Sequence, residues 1–176
     1  DARALLDLAA NHGLDVPILA AAVKVNADRQ ERMAVAVLAE VAGVSEPVVG
    51  LWGLAFKAGT DDTRESPALR IGELIAEQGV TVQAYDPEAS VGATDDGTHG
   101  GQAGVPIVEH DSALEAATGA DVLVIATEWP EFTGEDLTEV AEAMRGDLVI
   151  DLRNLLDPEA VRAAGLRQRQ IGKPEQ

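Results

Sequence analysis

Residues 48–67 read Val48-Val-Gly-Leu-Trp-Gly-Leu-Ala-Phe-Lys-Ala-Gly-Thr-Asp-Asp-Thr-Arg-Glu-Ser-Pro67. The apolar run 48–54, bounded by Pro47, has the length and composition of a strand buried on both faces. A polar turn containing Gly59 follows. Ser66 and Pro67 then supply an N-cap and a first-turn proline for a helix over 66–78, with Leu69, Ile71, Leu74 and Ile75 inward and Gly79 as its stop. Strand, loop and helix begin a βαβ pattern that repeats downstream: a strand at 81–85 ending at Asp86-Pro87, a helix at 112–118, a wholly apolar strand at 122–126, a helix at 135–144, a fourth strand at 148–151 and a last helix at 158–164. Residues 89–104, rich in Gly, Asp and Thr and without periodicity, read as a mobile loop. Short apolar strands alternating with helices predict an α/β fold with a doubly wound, mainly parallel sheet. Ligands bind such sheets beyond the carboxyl ends of the strands. Those ends carry Phe56-Lys57, Asp86, Thr127-Glu128-Trp129 and Asp151-Leu152-Arg153.

The sequence upstream is helical. Residues 2–12 form a short amphipathic helix stopped at His12-Gly13. Residues 16–42 form a longer one, with Pro17 in its first turn and apolar residues at Ile18, Ala21, Ala22, Val25, Met33, Val37 and Val41. A helix of that length outruns what one small domain can cover, so it is expected to bridge domains or pack on a partner subunit. The implied organisation is a helical segment over 1–44, belonging to a central dimerisation region, and an α/β domain over 45–176.

Composition narrows the function. The 176 residues hold 13 Lys+Arg against 31 Asp+Glu, a net charge of -18, and 46% hydrophobic residues. That apolar fraction builds a core, while the acidity argues against nucleic acid and anionic membranes as partners. No apolar run approaches the roughly 18 residues of a membrane span, and no secretory signal is visible, so a cytoplasmic location is expected. Cysteine is absent, which excludes disulfides, thiolate metal sites and a Cys nucleophile within these residues. Only Lys24, Lys57 and Lys173 are lysines; an acidic, Lys-poor chain resembles salt-adapted cytoplasmic proteins. The chain opens on Asp1 in mid-helix without Met, as a fragment of a longer protein does.

In so acidic a chain, Lys57 at the end of a strand is placed to reach a phosphate or carboxylate as a point charge, and Arg64 to do so bidentately. The alternative is that Asp61, Asp62 and Glu65 pair with these cations. Arg153, just past the fourth strand, is a third candidate; its alternative is a salt bridge to Asp151 or Asp157. No Gly-x-Gly-x-x-Gly loop follows the first strand, so the dinucleotide fingerprint is missing. His12, His99 and His110 lack metal-ligand spacing, and Asp95-Asp96-Gly97 lacks the remaining calcium ligands, so no metal site is expected.

The segment 53–67 resembles the signature of the UDP-glucose/GDP-mannose dehydrogenase family. Ala84-Tyr-Asp-Pro87, Ala126-Thr-Glu-Trp-Pro-Glu-Phe132 and Ile150-Asp-Leu-Arg-Asn154 match the same family in the same order, and residues 1–6 with Val25-Asn26 resemble its central helical region. The Thr-Glu-Trp and Tyr-Asp-Pro wording is most similar to members acting on UDP-glucose, Lys-Ala-Gly-Thr-Asp-Asp to those acting on GDP-mannose; UDP-N-acetylmannosamine is a further alternative. The resemblance implies a homodimeric oxidoreductase of polysaccharide biosynthesis with an N-terminal NAD domain, a central helical region and a C-terminal, Rossmann-like nucleotide-sugar domain. It oxidises a sugar alcohol to a carboxylate in two NAD-dependent steps through a Cys adduct. By the same resemblance, Lys57, with Phe56 beside it, contacts the nucleotide-sugar. Arg153 reaches the nucleotide-sugar of the neighbouring subunit, Arg64 approaches the NAD pyrophosphate, and Asp1 assists water or proton handling in the catalytic loop. The Cys expected four residues before Asp1 and the NAD domain are not in this sequence, so the chain alone is expected to be inactive; the alternative reading is a stand-alone nucleotide-binding or scaffold module.

Overall fold

The computed structural model describes residues 2–91 and 107–173. Asp1 and most of the Gly-rich segment 89–104 lie outside the described residues. Six strands, β1 (Val48–Trp52), β2 (Thr81–Tyr85), β3 (Ile107–Glu109), β4 (Val122–Ile125), β5 (Leu148–Asp151) and β6 (Arg167–Gln170), form one sheet in the order β3-β2-β1-β4-β5-β6. Every pairing is parallel. The helices are α1 (Ala2–Asn11), α2 (Pro17–Glu40), α3 (Pro67–Ala76), α4 (Ala113–Ala117), α5 (Leu137–Ala143) and α6 (Pro158–Ala163), with a 3-10 turn at Pro130–Gly134. This is the doubly wound fold expected from the sequence. Its strand order reverses beside β1, which creates the crevice where such sheets take ligands.

Local chemistry accounts for the element ends. The Ser66 hydroxyl accepts from the Leu69 N–H, so α3 starts where the Ser-Pro pair predicts. The Asp136 carboxylate caps α5, which therefore begins at Leu137 rather than at 135. β1 is shorter than expected: it ends at Trp52, because Gly53 has φ +102°, which turns the chain out of the ladder. A Cβ at Gly53 would stand 2.4 Å from the Thr127 Cβ, so glycine alone brings the end of β1 this close to the end of β4. Likewise the third strand stops at Ile125 rather than 126, and the long helix at Glu40 rather than 42.

The four predicted strands are present, and two edge strands join them. β3 has three residues, with Val108 and Glu109 exposed, and β6 is Arg-Gln-Arg-Gln. Neither carries the apolar run that marks a buried strand.

The core lies between sheet and helices. Val49, Leu51, Leu123, Ile125 and Val149 have no solvent exposure, and Trp52 stacks on Phe132 with ring centroids 5.2 Å apart. The same cluster includes Ala34, Val37 and Val41 at the end of α2 and just beyond it, so that part of α2 rests on the α/β unit through α3. Much of the remaining surface of α1 and α2 is open: Leu5, Leu8, Ile18 and Val25 are exposed, Ile18 by 87%, although Ala9 is buried.

Candidate functional site

The turn after β1 is held residue by residue. The Gly53 N–H donates to the Tyr85 carbonyl (2.8 Å), and the Leu54 and Ala55 N–H groups donate to Asp86 Oδ2 (2.7 and 2.9 Å). The Phe56 N–H donates to the Asp62 carbonyl (2.8 Å), and the Thr127 hydroxyl donates to the Ala55 carbonyl (2.9 Å). The next residue, Lys57, is exposed and makes no ion pair or hydrogen bond among the described residues. The alternative in which Asp61, Asp62 or Glu65 captures Lys57 is therefore not what the structure shows.

Arg64 is different. Its Nε and Nη2 donate to the two oxygens of Asp62 (2.9 and 2.8 Å), and its own N–H donates to Asp62 Oδ1. These hydrogen bonds hold the Asp62 carboxyl at about 2, well below the usual carboxylate range. For Arg64, then, pairing with a neighbouring acid is the observed state. Its side chain is 82% exposed, so a phosphate could displace Asp62 at small cost.

Arg153 is also paired, but with neither residue that sequence reasoning named. Its guanidinium grips Glu128, while its backbone N–H donates to Asp151 Oδ1 at 3.0 Å. The sheet register explains this partner. Ile125 lies beside Asp151, so Glu128 and Arg153 emerge side by side from the ends of β4 and β5. The buried Asp151 spends Oδ2 on the Leu156 N–H and the Gln168 amide.

Arg153 and Phe56 line one cleft of about 560 Å³, closed on its other sides by α1, α2 and the start of α3. Its charged lining residues are Arg3, Arg29, Glu65 and Arg153, three cations against one acid in a chain of charge -18. Glu65, which sits 3.7 Å from Arg3, has φ +54°, a conformation that non-glycine residues seldom adopt. Lys57 and Arg64 stand outside this cleft. The structure thus brings Phe56 and Arg153 together, with Lys57 adjacent in sequence, and leaves Arg64 apart.

Asp86 and Glu128 stand out in the sequence as strand-end residues but without an assigned role, and Arg3 and Arg29 do not stand out at all. For Glu128 the signal is its place three residues beyond β4, readable once β4 and β5 are known to be neighbours. For Arg3 and Arg29 no linear signal exists, because their meeting depends on how α1 and α2 fold over the sheet.

A doubly wound parallel sheet, carrying at its switch-point edge a lysine unpaired among the described residues and next to it an arginine-lined cleft, is of the Rossmann-like α/β class. The chain belongs to the UDP-glucose/GDP-mannose dehydrogenase family, whose UDP binding domain model matches residues 50–158. It is 39% identical to the UDP-glucose 6-dehydrogenase of Pseudomonas aeruginosa, over 99% of this chain and 38% of that protein. It is 34% identical to the UDP-glucose 6-dehydrogenase of Rickettsia conorii, over 98% of this chain and 39% of that protein. The chain thus spans well under half the length of these relatives and corresponds to their C-terminal portion. Among solved structures, the UDP-D-ManNAc dehydrogenase of Pyrococcus horikoshii superposes with a TM-score of 0.69 at 32% identity, over 93% of this chain and 35% of that one. A UDP-glucose dehydrogenase from Pyrobaculum islandicum does so with a TM-score of 0.66 at 28% identity, over 92% of this chain and 34% of that one.

Proposed function

We propose that this chain is the nucleotide-sugar-binding and dimerisation part of an NAD-dependent nucleotide-sugar 6-dehydrogenase that converts UDP-glucose to UDP-glucuronate. The observation that carries the reading is Lys57, a cation without a partner among the described residues, at the ligand-binding edge of the sheet and inside the residues matched by the UDP binding domain. Lys57 supplies a point charge to a phosphate of the nucleotide, and Phe56 offers an apolar surface next to it. Arg153 presents the edge of its guanidinium that Glu128 leaves open. Arg64 exchanges Asp62 for the dinucleotide pyrophosphate, and Asp1 serves proton handling in the whole enzyme. The exposed apolar residues of α1 and α2 support a homodimer assembled through those helices. In the cytoplasm of a salt-adapted cell, the acidic surface keeps the protein hydrated.

NAD would supply the hydride acceptor, but this chain's own sheet does not fit it. The turn after β1 lacks the glycine-rich phosphate loop. The acid at the end of β2, where a dinucleotide's ribose would be held, is Asp86, already engaged by protein N–H groups. The main dinucleotide site is accordingly assigned to a part of the enzyme beyond this chain, and no thiol adduct can form on a chain without cysteine.

Titration calorimetry of the chain with UDP tests the proposal. Saturable binding is expected, and Lys57→Ala should weaken it by about tenfold or more, the worth of one charge-assisted hydrogen bond. UDP that binds no better than uridine, or equally well to the Lys57→Ala chain, would overturn it.

A further inference from the structure

Asp86 carries more hydrogen bonds than any other side chain at the ligand-binding edge. Its Oδ2 accepts from the Leu54 N–H (2.7 Å), the Ala55 N–H (2.9 Å) and the Trp129 indole N–H (3.0 Å). Its Oδ1 accepts from the Glu88 and Ala89 N–H groups (3.0 and 2.8 Å). A carboxylate offers about four lone-pair sites, so five donors leave it no capacity for a ligand or for another cation. Asp86 is 9% exposed, which removes water as a competitor.

Two consequences follow from this saturation. The first concerns geometry. Leu54 and Ala55 lead directly into Phe56 and Lys57, and Trp129 follows Glu128, the partner of Arg153. One carboxylate therefore joins the turn that presents Lys57 to the turn that presents Arg153. The second concerns charge. An acid with spare acceptor sites at this place would compete for the Lys57 ammonium, whereas backbone N–H groups satisfy Asp86 without consuming a cation.

We propose that Asp86 is a positioning residue of the nucleotide-sugar site: it sets the turn 54–57 against Glu128-Trp129 and keeps Lys57 available to phosphate. This rests on the reading that the site takes a UDP-sugar, and the test separates the two. Asp86→Asn keeps the shape but turns an NH2 group toward backbone donors. The control is Asp121→Asn at the opposite edge of the sheet, where the carboxylate also accepts a strand N–H (Val48, 2.9 Å) but lies beneath β4 rather than beyond it.

UDP affinity, thermal midpoint and amide hydrogen exchange are measured on the wild-type chain and both variants, at a temperature where all are folded. Asp86→Asn should lower UDP affinity by about tenfold or more and speed exchange at 54–57, while Asp121→Asn loses thermal stability yet keeps its UDP affinity within about twofold. Trp129→Phe removes one of the five donors with the carboxylate intact. It should weaken UDP about two- to fivefold, and it carries the test if Asp86→Asn does not fold. Unchanged affinity in Asp86→Asn, or an equal loss in Asp121→Asn, overturns the proposal. If the wild-type chain takes up no UDP, the nucleotide reading fails, and exchange decides the positioning role alone: protection at 54–57 unaltered by Asp86→Asn overturns it, and loosening confined to 54–57 and 127–129 supports it.

Discussion

The two ends of the sheet satisfy their acids in different ways. At the amino ends of the strands, Asp121 is clamped by Arg145, which also reaches the Glu46 carbonyl, and Asp147 is clamped by Arg167 through two bonds of 3.0 and 2.7 Å. At the carboxyl ends, the buried Asp86 and Asp151 take only N–H donors, and Lys57 stays unpaired. The amino end consumes arginines in internal pairs, as a surface does whose task is to hold together. The carboxyl end satisfies its buried acids with backbone, indole and amide N–H groups and so retains a cation for something else. Its arginine pairs Arg64–Asp62 and Arg153–Glu128, like the looser Arg3–Glu65 contact, are solvent-accessible and exchangeable, unlike the buried acids beneath them.

This contrast can be broken at several points. The largest expected effect is Gly53→Ala. Its Cβ would need to enter space filled by Thr127 while keeping φ +102°, so a loss of about 3 kcal/mol or more is expected in denaturant unfolding, together with loss of UDP binding. Lys57→Ala should behave in the opposite sense: stability within about 0.5 kcal/mol of wild type, with nucleotide binding as the property that falls. A large destabilisation there would mean that Lys57 is structural after all.

Arg145→Ala should lower the thermal midpoint, because it strips the cation from an Asp121 side chain that is 12% exposed, and it should leave UDP binding unchanged. The pH dependence gives a second reading of the same pair. The hydrogen bond from Arg145 holds the Asp121 carboxyl below its ordinary value of 3.8, aided by the Val48 N–H and opposed by burial. A group with a depressed folded-state pKa stabilises above its unfolded value, and that contribution is lost as the pH falls below 3.8 toward the folded value. Thermal midpoints of wild type and Arg145→Ala should therefore differ at pH 7 and converge in acid.

The smallest effect concerns Glu135, whose carboxyl is pushed above its ordinary 4.5 by burial and then by Glu139. A raised carboxyl favours the folded state in its protonated form, a contribution present below 4.5 and lost as the pH rises. Glu135→Gln should raise the thermal midpoint at pH 7 by about 1 °C and do nothing below pH 4.

The central strands, α3 with its Ser-Pro start and the placement of Phe56, Lys57 and Arg153 at strand ends were legible because apolar runs and capping residues are local signals. β3 and β6 were not, since an edge strand with one covered flank needs no apolar run; Gly165 after α6 was the available hint of a returning strand. The site was half legible. Sequence points to each cation, but whether a cation is free depends on neighbours set by sheet order. Lys57 escapes three nearby acids, while Arg153 finds Glu128, 25 positions earlier, because β4 and β5 run side by side. Asp86 stood out in the sequence as a motif residue, and its role became visible only when five donors from three segments converged on it.

The edge strand β6 has a consequence for assembly. Its sequence, Arg167-Gln-Arg-Gln170, sets two guanidinium groups along the outermost ladder, tied back to Asp147 and to Glu40 on α2. A second chain adding here as a seventh strand would meet charge and ordered side chains rather than a bare edge. That flank of the sheet therefore discourages growth by strand addition, in contrast to α1 and α2, where Leu5, Leu8, Ile18 and Val25 leave apolar surface exposed.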